Sequence, residues 1–217
     1  PSLYRALDQF IVARAIRNLR KQERKHCSML INISRFVSVQ KEVKSFVSLR
    51  LEKIKDAVKA NYMMPEHVSA QNEYMAQLRA AFNEEFSDCG FEWNDVKEAL
   101  WGVFEHLRTF VVNSKTTDDP LDYEKYEREG VGLTAVAIGG LSLSRGLTIE
   151  GLTVSYMYRN TRMYDTLMQM GRWFGYRPNY EDVCRVYLSK DSINWYKHIA
   201  LAADELRHQI RRIRNFG

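Results

Sequence analysis

Apolar and polar residues repeat along this chain with two different periods, and their order predicts an α/β fold. A repeat of three to four residues, which gathers apolar side chains on one face of a helix, predicts helices at residues 2–26, 37–59, 66–87, 92–107, 163–173 and 191–214. Short apolar runs rich in β-branched residues predict strands at residues 28–34, 109–113, 133–138, 153–158 and 183–188. Because strands and helices alternate, we expect a three-layer domain with a mainly parallel sheet of about five or six strands.

One segment differs from this pattern. Met63-Met64-Pro65 breaks the helical repeat, and the two amphipathic helices predicted after it are acidic. We therefore expect residues 60–107 to form an inserted helical subdomain, with residues 1–59 and 108–217 together forming the main domain. The insertion could dock a partner or another domain, or it could simply cover one edge of the sheet.

Composition excludes several classes of protein. Hydrophobic residues make up 45% and charged residues 27% of the 217 residues, which is typical of a folded globular chain. No apolar run reaches the ~18 residues that a membrane span needs, and the polar start does not resemble a signal peptide. The three cysteines lack the spacing of a zinc site, so we expect reduced thiols and a cytoplasmic location. The chain begins with proline, and we expect it to be a fragment of a longer protein.

The net charge of +5 is unevenly distributed. Residues 1–60 carry 14 Lys/Arg against 5 Asp/Glu, residues 61–130 carry 6 against 15, and residues 131–217 carry 12 against 7. Two basic segments on either side of an acidic one indicate a polyanionic partner for the basic segments. Solvated helix faces of mixed sign would give the same numbers, so charge alone leaves both interpretations open.

The polar residues that follow the predicted strands are the candidates for function, because ligands of parallel sheets bind beyond the carboxyl ends of the strands. Gly139-Gly140 ends one strand and allows a close approach of the backbone to a ligand. Hydroxyl groups and guanidinium groups in the segments that follow suit phosphate, which Arg binds bidentately. These side chains are Ser142, Ser144, Thr148, Arg145, Arg172 and Arg177.

Two motifs in this region resemble those of the C-terminal RecA-like domain of superfamily-two helicases and translocases. Ser144-Arg145-Gly146-Leu147-Thr148-Ile149 is similar to the first, and Gln169-Met170-Gly171-Arg172 with Arg177 is similar to the arginine-finger motif that comes second. More closely, residues 143–177 resemble the Z-one (Z1) domain, a helicase-related domain of endonucleases in bacterial restriction and phage defence. The resemblance covers most of the chain and is strongest in residues 28–36 and 133–188.

The resemblance implies roles for particular residues. Arg172 and Arg177 would act catalytically, as arginine fingers. The residues implied in nucleotide binding are Arg145, Gly146, Thr148, Gln169 and Gly171. Those implied in nucleic-acid binding are Ser34, Arg35, Asn113, Lys115, Ser142 and Ser144. The implied cofactors are ATP and Mg²⁺, and the implied partners are DNA, an N-terminal RecA-like domain of the same parent chain and other proteins of a defence system.

An absent motif limits what this chain can do alone. No Gly-x-x-x-x-Gly-Lys-Ser/Thr sequence occurs, and no predicted strand ends in an Asp-Glu pair. Helicases carry these phosphate-binding and Mg²⁺-binding elements on their N-terminal RecA-like domain, so we expect the chain alone not to hydrolyse ATP. Two alternatives stay open: a non-catalytic DNA- or protein-binding module with a degenerate helicase fold, and a nuclease site at Asp122, Glu124 and Lys125.

Overall fold

The computed structural model describes residues 2–112, 121–139, 149–158 and 179–216. The helices in these residues are α1 (Ser2–Leu19), α2 (Val37–Asn61), α3 (Glu66–Ser69), α4 (Glu73–Glu85), α5 (Trp93–Val103), α6 (Tyr123–Arg128) and α7 (Lys190–Phe216), and Glu181–Val183 forms a 3₁₀ turn. The strands are β1 (Cys27–Asn32), β2 (Leu107–Val112), β3 (Thr134–Gly139), β4 (Leu152–Met157) and β5 (Arg185–Leu188).

The five strands form one parallel sheet in the order β2-β3-β1-β4-β5. Each predicted strand is present, which confirms the α/β class and the parallel sheet. Because β1 lies in the middle, both of its neighbours shield it, and all six of its residues are buried. This agrees with the apolar run, without alternation, that predicted it.

Helices cover both faces of the sheet. Met29 of β1 belongs to the main hydrophobic cluster, which also contains side chains of α1, α2, α4 and α5. The next residue, Leu30, points to the opposite face and packs with Ala137 and Met157. On that second face, Tyr123 of α6 packs against Ala135.

The acidic helices of residues 60–107 pack into the main cluster. Leu78 and Phe82 of α4 and Val96 and Leu100 of α5 are buried there together with residues of α1 and of the sheet. These helices therefore contribute to the core that supports β1. The division of the chain into a main domain and an insertion stays a prediction.

The helix predicted at residues 2–26 is wrong beyond Leu19. The Lys21 N–H donates to the carbonyl of Asn18 and the Gln22 N–H to that of Arg17, which closes the helix. Lys21 itself has a φ of 63°, in the left-handed region that commonly ends helices. The basic residues Arg20, Lys21, Arg24 and Lys25 therefore belong to the turn before β1 and not to α1.

The helix predicted at residues 66–87 is two helices. Asn72 separates α3 from α4, and its side-chain oxygen accepts hydrogen bonds from the N–H groups of Tyr74 and Met75. This side-chain cap satisfies two N–H groups that begin α4.

The helix predicted at residues 92–107 ends at Val103, since Leu107 already pairs with Thr134 as the first residue of β2. The helix predicted at residues 163–173 lies outside the described residues. Among the described helices, none has the length and hydropathy needed to cross a membrane.

Candidate functional site

The strands end level with one another, so the segments that follow them leave from a common edge. Val112 pairs with Gly139, and Met157 pairs with both Asn32 and Leu188. We call this the carboxyl edge. Its centre is the end of β1, between β3 and β4.

Most residues singled out from the sequence lie outside the described part of the chain. They are Asn113, Lys115, Ser142, Ser144, Arg145, Gly146, Thr148, Gln169, Gly171, Arg172 and Arg177. The strands that precede them are described: β2 ends directly before Asn113, β3 ends at Gly139, and β4 ends two residues before residue 159. The three segments that carry these residues are thus attached to the carboxyl edge.

Ser34 and Arg35 are described, and both lie in the connection from β1 to α2, because β1 ends at Asn32 and not at Ser34 as predicted. The Ser34 hydroxyl accepts a hydrogen bond of 3.1 Å from the Phe36 N–H, and the Gln40 amide donates to the Ser34 carbonyl at 2.9 Å. These contacts hold the connection against the first turn of α2. Arg35 is exposed, with its guanidinium carbon 5.0 Å from the centre of the Phe36 ring.

The first turn of α2 has no acidic residue, and the N-cap residue before it, Phe36, makes no side-chain capping hydrogen bond. The partial positive charge of this helix end therefore adds to the charge of Arg35. Together they make the described start of α2 a surface that favours anions.

Asn32, which sequence analysis missed, is the last residue of β1 and is completely buried. Neither its side-chain oxygen nor its side-chain nitrogen has a hydrogen-bond partner among the described residues. A buried amide without partners is unfavourable by about 1–3 kcal/mol. The only signal in the sequence is a single amide at the end of an apolar run.

Three tyrosines, also missed, form a row on β4 and β5. The rings of Tyr156 and Tyr158 are stacked, with centroids 6.3 Å apart and planes inclined by 13°, and Tyr187 lies 5.6 Å from Tyr156. Tyr158 directly follows β4, and 63% of its surface is exposed. The sequence placed Tyr158 inside a strand, and exposure at a strand end depends on neighbours that a one-dimensional pattern does not show.

His26 lies at the opposite, amino edge of the sheet, near two carboxylates. Its Nε2 atom is 3.7 Å from Glu127 Oε1 and 3.9 Å from Glu150 Oε2. These three residues could surround a metal ion by distance alone. However, the Leu133 N–H donates to Nδ1 at 3.1 Å, so the proton of the neutral ring resides on Nε2. Nε2 therefore offers a proton to the carboxylates and not a lone pair to a metal.

A cavity of about 410 Å³, which several charged residues line, lies between α1, α2 and α4. At its base Arg50 donates to both carboxylate oxygens of Asp8, at 3.1 and 3.2 Å, and also to Gln77. The pKa of Asp8 is raised to about 6 because burial outweighs the attraction of Arg50. These contacts connect three helices, and we interpret them as structural.

The carboxylate proposed for a nuclease site has a structural role. Asp122 precedes α6, and its side chain accepts a hydrogen bond from the Lys125 N–H at 3.1 Å. This is an N-cap, which accounts for an aspartate at this position without a metal.

Comparison with known families identifies residues 2–217 as a Z1 domain. Comparisons with curated proteins and with solved structures gave no match. The family match covers nearly all of the chain and confirms the resemblance to the Z1 domain. The chain belongs to the Z1 domain family.

Proposed function

We propose that this chain is the C-terminal, RecA-like motor domain of a helicase-like nucleoside triphosphatase that acts on DNA in a restriction or phage-defence endonuclease. The observation that carries the proposal is the carboxyl edge of the parallel sheet, to which both helicase-like motif segments are attached. Membership of the Z1 domain family supports it. The proposal concerns a parent protein that also contains an N-terminal RecA-like domain.

The described residues that follow β1 and β4 suit the phosphates of ATP better than they suit Mg²⁺. Among them Arg35 supplies a guanidinium and none supplies a carboxylate, whereas the carboxylate of Asp191 follows β5 at the outer end of the sheet. Mg²⁺ prefers carboxylate and water oxygens, so these residues fit an anion. We therefore assign the Mg²⁺ ligands to the other RecA-like domain.

In this proposal, ATP between the two domains supplies the phosphoryl group that is transferred to water. Arg172, together with Arg177, stabilises the charge that develops on the phosphate oxygens. The other nucleotide contacts come from Arg145, Gly146, Thr148, Gln169 and Gly171.

The DNA contacts of the proposal lie at the same edge. Arg35 is exposed and sits at a helix start that favours anions, which supports a contact with a DNA phosphate. Ser34 supplies a neighbouring hydroxyl group. The remaining proposed contacts are Asn113, Lys115, Ser142 and Ser144.

The proposal is tested by Arg172→Ala in the parent protein. We expect ATP turnover to fall by about a thousandfold or more, because an arginine finger stabilises the transition state far more than the bound nucleotide. The affinity for ATP should change little. The measurements are steady-state ATP hydrolysis and equilibrium binding of a non-hydrolysable ATP analogue.

The matched control is Arg79→Ala on α4, which removes an exposed ion pair with Glu66 of α3. Turnover in this variant should equal that of the wild type. Unchanged turnover in Arg172→Ala would rule out the finger assignment.

A second candidate is a DNA- or protein-binding module without motor activity. The absence of a phosphate-binding Gly-x-x-x-x-Gly-Lys-Ser/Thr loop from this chain favours it. The parent protein distinguishes the two candidates. If it is a motor, it contains such a loop in its other domain and hydrolyses ATP faster in the presence of DNA; a binding module needs neither property.

A further inference from the structure

The row of Tyr187, Tyr156 and Tyr158 is held rigidly at its inner end. The Tyr187 hydroxyl donates to Gln9 at 2.7 Å, and the Tyr156 hydroxyl is 2.8 Å from that of Ser2. Both contacts fix the row to α1. Tyr156 is 7% exposed, and its ring lies nearly parallel to that of Tyr158.

Tyr158, at the outer end, presents an aromatic ring to solvent. Tyr158 is 63% exposed, and its ring is nearly parallel to that of Tyr156, with 6.3 Å between the ring centroids. A large aromatic ring that is both exposed and held by a partner loses little freedom when another flat molecule stacks on it. The ring therefore provides a preformed stacking surface.

A second exposed ring lies across the same edge. The Tyr158 N–H donates to the Asn32 carbonyl at 3.1 Å, so the connection from β1 to α2 begins beside Tyr158. Phe36, 57% exposed, is four residues after Asn32, and the Cα atoms of these two residues are therefore within about 14 Å of each other. The guanidinium of Arg35 lies 5.0 Å from the Phe36 ring.

We propose that Tyr158 and Phe36 stack on the bases of a single-stranded nucleic acid, while Arg35 neutralises a phosphate of the same strand. Exposed aromatic rings beside a guanidinium are the features by which proteins hold single strands without sequence preference. A duplex does not offer the faces of its bases to a side chain, because those faces are stacked on each other. This inference rests on the proposed nucleic-acid partner and adds that the strand bound at this edge is single and contacted through its bases.

The test measures binding of a fluorescein-labelled oligo(dT) to the 217-residue chain by fluorescence anisotropy. Tyr158→Ala and Phe36→Ala are each expected to weaken binding at least about fivefold, as base stacking on an aromatic side chain does. Tyr158→Phe keeps the ring and should stay within about twofold of the wild type. A self-complementary duplex should bind all four proteins alike, within about twofold.

The matched control is Trp101→Ala, which removes another exposed ring that is stacked on an aromatic partner, here Tyr62, 6.2 Å away. Trp101 is on α5, outside the carboxyl edge, and its loss should leave oligo(dT) binding unchanged. Thermal denaturation of each variant tests its folding. Should Tyr158→Ala fail to fold, Phe36→Ala compared with Trp101→Ala decides the inference.

A nucleotide base offers the same stacking chemistry as a strand, so binding of a fluorescent ADP derivative is measured in parallel. Loss of ADP binding with unchanged oligo(dT) binding in Tyr158→Ala would make the partner a nucleotide and overturn the inference. No binding of oligo(dT) by the wild-type chain would also overturn it.

A third result separates the inference from the proposed function. Arg35→Gln should weaken oligo(dT) binding and lower the slope of log K against log salt by about 0.7. If it does so while both alanine variants bind as the wild type does, the nucleic-acid partner stands and the base-stacking inference is wrong.

Discussion

At the scale of single residues, His26 shows how burial and one hydrogen bond determine a protonation state. Its Nδ1 accepts from the Leu133 N–H, and a protonated ring would direct a second N–H at that donor. Burial lowers the pKa of His26, and the nearby Glu150 and Glu127 only partly offset this. The folded chain therefore holds His26 neutral at pH values where the unfolded chain protonates it.

We predict that His26 makes the folded state less stable as the pH falls below about 6.5. Since the pKa of His26 is lower in the folded than in the unfolded chain, the unfolded chain binds more protons, and acid favours unfolding. His26→Asn keeps an acceptor for the Leu133 N–H but does not titrate. Urea denaturation at pH 5, 6 and 7 should give a weaker loss of unfolding free energy in the variant than in the wild type.

Asp8 changes the free energy of unfolding with pH in the opposite direction to His26, which affects both the wild type and His26→Asn. Its pKa of about 6 lies above its ordinary value, so the folded chain gains stability as the pH falls towards 4. Because Asp8 is present in both proteins, its effect cancels in the difference between wild type and His26→Asn. Equal pH dependence of the two proteins would contradict the assignment of the effect to His26.

At the scale of elements, two buried guanidinium groups fix the turn between α1 and β1. Arg17 donates to the carbonyls of Gly151 and His26 and to the hydroxyl of Thr153, at 3.0–3.2 Å, and stacks on Tyr180. Arg14 donates to the carbonyls of Gln22, Glu23 and Lys25. Gly151, with a φ of +61°, has no room for a side chain, because a Cβ there would lie 1.9 Å from the His26 carbonyl oxygen.

We predict that Arg17→Lys lowers the free energy of unfolding by about 3 kcal/mol or more. A lysine carries one ammonium group and cannot reach three acceptors that diverge around a planar guanidinium, so buried carbonyls lose their donors. Chemical denaturation measures the effect. Arg79→Lys, at the exposed ion pair with Glu66, serves as control and should change the free energy of unfolding by less than about 1 kcal/mol. An equally small change in Arg17→Lys would show that Arg17 does not fix the turn between α1 and β1.

The same turn shows why sequence predicts elements better than their ends. All five strands were predicted to within about two residues at each end. The inner strands β1, β3 and β4 are buried along their whole length and give nearly continuous apolar runs, while the edge strands β2 and β5 are recognised by their β-branched and aromatic residues. The predicted end of α1 is too late because the turn after it is held by hydrogen bonds from Arg14 to the carbonyl of Glu23 and from Arg17 to those of His26 and Gly151, which a helical repeat does not show. The cap at Asn72 was visible in the sequence, as an amide directly before Glu73, and was overlooked.

The candidate site was predictable only in part. Ser34 and Arg35 follow a strong strand signal, so their position at the carboxyl edge could be derived from the parallel topology. Asn32 and Tyr158 could not be found in this way. Asn32 is a candidate because its buried side chain has no hydrogen-bond partner among the described residues, and Tyr158 because its ring is exposed. Both properties depend on three-dimensional packing.

At the scale of the whole molecule, the two edges of the sheet differ in kind. The amino edge is closed by Arg14, Arg17 and His26, whose hydrogen bonds hold turns in place. The described part of the carboxyl edge has an amide without partners, an exposed guanidinium and two exposed rings, at Asn32, Arg35, Phe36 and Tyr158. Hydrogen bonds thus stabilise the amino edge, whereas the described carboxyl edge leaves polar and aromatic side chains available for contacts. Parallel α/β domains bind their ligands beyond the carboxyl ends of the strands, and this difference agrees with that rule.

We propose that this chain supplies half of an ATP-hydrolysing site. The most direct test measures ATP hydrolysis by the 217-residue chain and by the parent protein at equal concentrations, with and without DNA. We predict turnover stimulated by DNA in the parent protein and none above the Arg172→Ala background in the chain alone. Turnover by the chain alone, or none by the parent protein, would contradict the account.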